Sequence, residues 1–135
     1  MDIIIAGSRD FDDYGRLCQE CDTLLAGLRV DSILCGECRG ADALGKRYAE
    51  DRGISVKSYP ADWQRYGRAA GPIRNKQMAE AADLLIAFWD GQSRGTHSMI
   101  KLMQGKAVEI VYIGHEPRRA THGASDQRVR YARSV

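Results

Sequence analysis

The chain has 135 residues, of which 44% are hydrophobic and 28% charged, and its formal net charge is +2. That length fits one domain, and a chain of this size buries a core without help from metal or disulfide. No apolar run approaches the roughly 20 residues of a bilayer span, and the opening MDIIIAGSRD lacks the basic stretch of a secretory leader. The expectation is therefore a cytoplasmic protein without a membrane partner. The charge is uneven: from Gly114 onward, arginines 118, 119, 128, 130 and 133 stand against Glu116 and Asp126, so the end is basic and the body near neutral.

In chain order, Asp2–Ala6 (DIIIA) is a short β-branched run of the kind that forms a buried parallel strand. Gly7-Ser8-Arg9-Asp10 breaks it. Tyr14, Leu17, Cys21, Leu24, Leu25 and Leu28 then recur at helical spacing. Ser32–Cys35 reads as the second strand and Gly36–Gly40 as a loop. Ala41–Arg52 reads as a helix with Gly53 as its C-cap. Ile54–Tyr59 alternates as a third strand should. Pro60–Gly71 is a polar connection, and Pro72–Ala82 a helix with proline in its first turn. Leu84–Trp89 is the fourth strand, Thr96–Met103 a helix ended by Gly105, and Val108–Ile113 the fifth strand.

Strands alternating with helices predict an α/β fold: a Rossmann-like open parallel sheet of about five strands, with helices on both faces. The domain spans 1–113, and 114–135 is a basic C-terminal tail. With strand order 3-2-1-4-5, the direction of winding reverses between the first and fourth strands. Ligands in such sheets sit beyond the carboxyl ends of the strands at that point.

Three glycine-containing loops meet at that edge: Gly7-Ser8-Arg9, the loop from Gly36 through Arg39 and Gly40 to Asp42, and Asp90-Gly91-Gln92-Ser93-Arg94-Gly95-Thr96. Glycine lets backbone amides approach a ligand, and a helix N-terminus offers free N–H groups to phosphate or carboxylate. Ser8, Arg9, Arg39, Ser93, Arg94 and Thr96 add donor side chains, and Arg74 suits a bidentate phosphate contact, with Asn75 beside it. Asp90 and Asp42 suit ribose hydroxyls, or equally helix N-caps. The rings of Phe11, Trp63, Tyr66 and Trp89 flank the same edge, where they serve either base stacking or core packing.

GSRDF near the start, GxxxGAD after the second strand, PADW (60–63), GxxAGPxRNxxM (67–78) and AFWDGxSxGTxxMI (87–100) together resemble the YspA/YpsA-related branch of the SLOG superfamily. That superfamily also holds LOG-type phosphoribohydrolases and DprA-type DNA-processing proteins. The resemblance covers residues 2–113. It implies a Rossmann-like protein that binds nucleotides or nucleotide-derived ligands, such as ADP-ribose-like molecules, in conflicts between bacteria and phages. One departure is plain. LOG enzymes carry a PGGxGTxxE loop whose glutamate works with an upstream arginine to cleave an N-glycosidic bond. Arg74-Asn75-Lys76-Gln77-Met78 resembles the arginine segment, but Met99 stands where the glutamate would be. Methionine moves no proton. Asp90 or Asp10 are the substitutes on offer.

Cys18-x-x-Cys21 and Cys35-x-x-Cys38 have a zinc-like spacing. Cys21 lies on the apolar stripe of a helix and Cys35 ends a strand, so reduced core cysteines are the simpler reading. His97 follows Thr96 at a helix start, while His115 and His122 have no motif around them.

The expected function is a sensor or sequestering protein for a nucleotide-derived ligand, with no cofactor required. The alternatives are a nucleotide hydrolase using Asp90 with Arg74, and a DNA-associated module resembling the DprA branch that uses the basic tail. A homodimer or higher homo-oligomer is expected, because an open sheet leaves edges that pair.

Overall fold

A computed structural model describes residues 1–114 and 128–131. The chain runs β1 (Asp2–Gly7), α1 (Tyr14–Leu25), β2 (Ser32–Cys35), α2 (Ala41–Arg52), β3 (Ser55–Ser58), α3 (Trp63–Tyr66), a 3₁₀ turn (Gly67–Ala69), α4 (Ala70–Ala81), β4 (Leu84–Trp89), α5 (Arg94–Leu102), β5 (Ala107–Tyr112) and β6 (Arg128–Tyr131). The sheet order is β3-β2-β1-β4-β5-β6. Five strands are parallel, in the expected order, and the α/β Rossmann-like reading holds.

Two features differ from the sequence reading. Arg128–Tyr131, assigned to the tail, adds a sixth strand antiparallel to β5, from Val108↔Tyr131 to Val111↔Arg128. The rest of the expected tail, including His115 and His122, lies outside the described residues. The connection 60–71 is not plain loop. It holds α3, the 3₁₀ turn and the first two residues of α4, with Asp62 capping α3 by accepting from Arg65 N at 3.1 Å.

Alternation along the strands divides the core into two layers. Ile3, Ile5, Ile33, Ile86 and Phe88 face α1 and α2, where they meet Leu17, Cys21, Leu25, Tyr48 and Ala49. Ile4, Ala6, Leu34, Leu85, Ala87 and Ile110 face α4 and α5, where they meet Met78, Ala79, Ala82, Met99 and Met103. Each fully buried branched side chain contributes about 1.5–3 kcal/mol. Both faces of the strands are therefore apolar, which is why DIIIA and LLIA read as unbroken runs.

Helix ends follow local rules. Asp13 caps α1 by accepting from Arg16 N at 3.0 Å. Gly53 closes α2 in the left-handed conformation at φ 71°. Asp22 of α1 accepts from Tyr48 (2.6 Å) and Arg52 (2.9 Å) of α2, which fixes α2 across the sheet face. Among the described residues no helix is long and apolar enough to cross a membrane.

Candidate functional site

β1 and β4 lie side by side and the winding reverses between them. At their carboxyl ends the first loop is locked by backbone contacts. Ser8 N–H donates to Phe88 O (2.9 Å), and Ser8 O accepts from Phe11 N and Ala41 N (both 3.2 Å). A Cβ on Gly7 would collide with Phe88 O and stand 2.9 Å from Ala41 Cβ. Gly40, at φ 79°, would place a Cβ against Ser8 O and 2.5 Å from Arg9 Cα. These two glycines let α2 begin directly against the end of β1.

The third loop is organised by Asp90. Its Oδ1 accepts from Gln92 N and Ser93 N, both at 2.8 Å, and Ser8 Oγ accepts from Asp90 N at 3.2 Å. Burial pushes the Asp90 carboxyl up, but the N–H groups of Gln92 and Ser93 and the Ser8 hydroxyl outweigh it and hold the group below its ordinary value. α5 then starts at Arg94. His97 N–H reaches back to Ser93 O (3.1 Å), and the amides of the turn before it point out of the helix end. Ser93 Oγ and Thr96 Oγ1 lie 3.3 Å apart.

From the other side, α4 supplies Arg74, which is only 7% exposed. Its Nη1 donates to Gly36 O, its Nε to Asn75 Oδ1 (2.8 Å), and its Nη2 faces Cys38 Sγ (3.8 Å). Asp42, in the first turn of α2, is equally buried. Its carboxyl accepts from the backbone N–H groups of Gly7 and Cys38. Burial raises it to about 7, against the opposing charges of Arg74 and Arg9 and those two N–H groups.

These segments enclose one cavity of about 390 Å³, within the ~300–1,000 Å³ range of small-molecule sites. Gly7, Ser8, Arg9, Asp42, Arg74, Asn75, Asp90, Ser93, Arg94, Gly95 and Thr96 line it, as does Asp10. Three arginines and three aspartates thus face the same space. The floor is apolar, formed by Ala6, Met78 and Met99.

Four expected ligand contacts do not line the cavity. Gly36 offers its carbonyl to Arg74, and Gly40 packs under the Ser8–Arg9 backbone, so both serve the protein's own close approaches. Gly91 makes its turn at φ 83° with nothing nearby, and Arg39 is exposed away from the cavity. Conversely, Cys38, Met78, Met99 and Ala6 line it although the sequence does not point to them as ligand contacts. Their signal was faint: Met78 and Met99 lie on the buried faces of α4 and α5, where apolar spacing reports only core.

All four cysteines are free. Cys21 and Cys35 belong to the core layer under α1 and α2, and Cys18 packs against it. Burial pushes the Cys21 thiol well above its ordinary value and that of Cys35 to about 12. A metal ligand must be a thiolate. Among the described residues no three His, Cys, Asp or Glu side chains gather as a metal-holding group.

Comparison with a family model covers the first three motifs, GSRDF, GxxxGAD and PADW. The family model described as "YspA, cpYpsA-related SLOG family" matches residues 1–66. The chain is also 31% identical over 125 residues to the Gene 61 protein of Mycobacterium phage D29, an alignment that covers 85% of this chain and 98% of the relative. With the five-strand parallel core, the locked Gly7 and Gly40 loops and this match, the chain belongs to the YspA, cpYpsA-related SLOG family.

Proposed function

We propose that the protein binds a nucleotide or nucleotide-derived ligand, of the ADP-ribose, NAD or cyclic-nucleotide kind, at the carboxyl edge of the sheet, and acts as a sensor or sequestering protein. The observation that carries this reading is the single cavity shared by the first turn of α5, Arg74 and the Ser8–Asp10 loop. Helix-end amides and arginines suit phosphate oxygens. Asp10 beside them suits sugar hydroxyls, so the mixed charge fits a sugar phosphate better than a bare anion. Membership of the family supports a nucleotide-related ligand in general. Met99 on the cavity floor has no proton to give or take, which favours holding the ligand over cleaving it.

The test is calorimetry with AMP, ADP-ribose, NAD and cyclic dinucleotides, followed by chromatography of each mixture. Binding with the ligand recovered intact, weakened in Arg74→Ala, supports the reading. Lack of heat with every member of the panel sinks it.

One observation favours a second reading, hydrolysis of an N-glycosidic or phosphodiester bond. Asp42, raised to about 7, lies in the same cavity as Arg74, and a carboxyl poised near the working pH suits general acid–base catalysis. Asp90 is less suited, since its carboxylate is held low and occupied by its own loop. Product in the chromatogram that disappears in Asp42→Asn, with binding retained, would select this reading.

A further inference from the structure

Of the four aromatic residues that flank this edge, two are packed into the fold and a third, Tyr66, is 39% exposed but covered by a neighbouring guanidinium. Phe11 is buried and stacks on Phe88, with ring centroids 5.2 Å apart. Trp89 packs on His97 (5.6 Å) and Tyr112 (5.9 Å) and donates its indole N–H to Ser93 O. Tyr66 carries the Arg65 guanidinium over its ring at 5.1 Å. Trp63 remains 59% exposed, the highest value of any large hydrophobic residue described.

A lone exposed aromatic is ordinary on a protein surface. Trp63 differs in where it is held. Asp62 caps its short helix, and Gly67 N–H donates to Trp63 O. The far corner of the indole, Cη2, lies 3.5 Å from where a Cβ on Gly71 would stand, and Arg74 Nη2 lies 3.7 Å from that same point. The ring therefore rests on the first turn of α4, beside the guanidinium that lines the cavity.

We infer that Trp63 is the stacking wall for the heterocyclic base of a ligand whose phosphate sits at the start of α5. This rests on the nucleotide reading above and assigns the ligand's polarity. Trp63 does not itself line the cavity, but its ring rests on α4 beside Arg74, which does, so a molecule anchored at Arg94–Thr96 and extended past Arg74 and Asn75 would meet that ring. Tryptophan offers a rigid face at low entropic cost, and stacking tolerates any base because each has a π-face.

The test compares base-bearing probes, AMP and ADP-ribose, with base-free ribose 5-phosphate, on the full chain by calorimetry and tryptophan fluorescence. In Trp63→Ala, affinity for the better base-bearing probe falls about 5- to 160-fold, the range of one stacked base, while ribose 5-phosphate is unchanged. Trp63→Phe keeps most of the affinity but loses Trp63's share of any ligand-induced fluorescence change, which a Trp89→Phe variant measured in parallel separates from that of Trp89, whose indole meets Ser93 O. Equal weakening of both probe types overturns the inference, since the ring would then act through the fold. So does undiminished nucleotide affinity in Trp63→Ala, which leaves the nucleotide reading standing. A changed elution volume with undiminished affinity assigns the ring to a contact between copies instead. If the natural protein binds none of these probes and neither NAD nor a cyclic dinucleotide, the nucleotide reading fails and this inference goes with it.

Discussion

Asp42 of α2 and Arg74 of α4 converge on the backbone of Gly36. A Cβ built there would stand 3.1 Å from Asp42 Oδ2 and 3.3 Å from Arg74 Nη1. Arg74 binds the Gly36 carbonyl while Asp42 accepts from Gly7 and Cys38, so a buried guanidinium and a buried carboxyl tie the ends of β1 and β2 to helices on opposite faces of the sheet.

Removing the arginine breaks that tie. Arg74→Ala leaves the buried Gly36 carbonyl without its donor and Asp42 without its nearest opposing charge. A buried group stripped of its partner costs about 1–3 kcal/mol. Urea unfolding should show a loss of that size, and nucleotide affinity should fall at least about tenfold, since a phosphate contact of a charged donor is worth ~1.5–3 kcal/mol. Unchanged affinity would place the ligand elsewhere.

The Asp42 carboxyl gives a pH signature. An ordinary aspartate titrates near 4, and this one near 7 in the folded protein. Between those values the unfolded chain has released the proton and the folded chain keeps it. Stability therefore falls as pH rises from about 4 to 7 and levels off above, by an amount on the order of a few kcal/mol. Asp42→Asn should flatten the unfolding free energy over that window. Asp90 acts with the opposite sign: its depressed carboxyl stabilises above the ordinary value, and that contribution is lost as pH falls through its folded pKa. Parallel profiles for Asp42→Asn and the natural protein would contradict the assignment.

The glycines separate by what surrounds them. Gly40→Ala combines a positive φ with a collision against Ser8 O, so it should cost about 2–5 kcal/mol. Gly91→Ala meets only the positive φ in open space, at about 1–2 kcal/mol. Thermal unfolding of the two variants ranks them, and the reverse order would contradict the packing described.

Asp90→Ala removes the acceptor for Gln92 N and Ser93 N at the entrance to α5. The cost should be about 0.5–2 kcal/mol, the value of a capping side chain, with ligand affinity reduced because the α5 turn loosens. Asp90→Asn retains an acceptor oxygen and should recover most of both. Equal losses in the two variants would mean that the carboxylate charge, rather than the turn, matters.

The central sheet was legible in the sequence because doubly covered parallel strands read as near-continuous apolar runs, as IIIA, ILC and LLIAFW do. β6 was not. An antiparallel edge strand needs no apolar run, and RVRY sits among arginines that read as tail. The loops of the site were legible through glycine, but glycine alone does not say which neighbour needs the space. Gly7 lines the cavity, whereas Gly36 and Gly40 make room for Arg74 and the Ser8–Arg9 backbone. The sequence leaves Asp90 open between sugar ligand and helix N-cap; Ser93 is the N-cap residue of α5, and Asp90 closes the turn before it by accepting from Gln92 N and Ser93 N. The apolar floor was hidden because Met78 and Met99 follow ordinary helical spacing.

The most direct test is an amide NMR titration of the ¹⁵N-labelled chain with ADP-ribose. With the ligand in this cavity, the large shifts fall on Ser8, Arg9 and Asp10, on Arg74 and Asn75, and on Arg94, Gly95 and Thr96. Shifts confined to the β5–β6 edge, or none at saturating nucleotide, would contradict that placement.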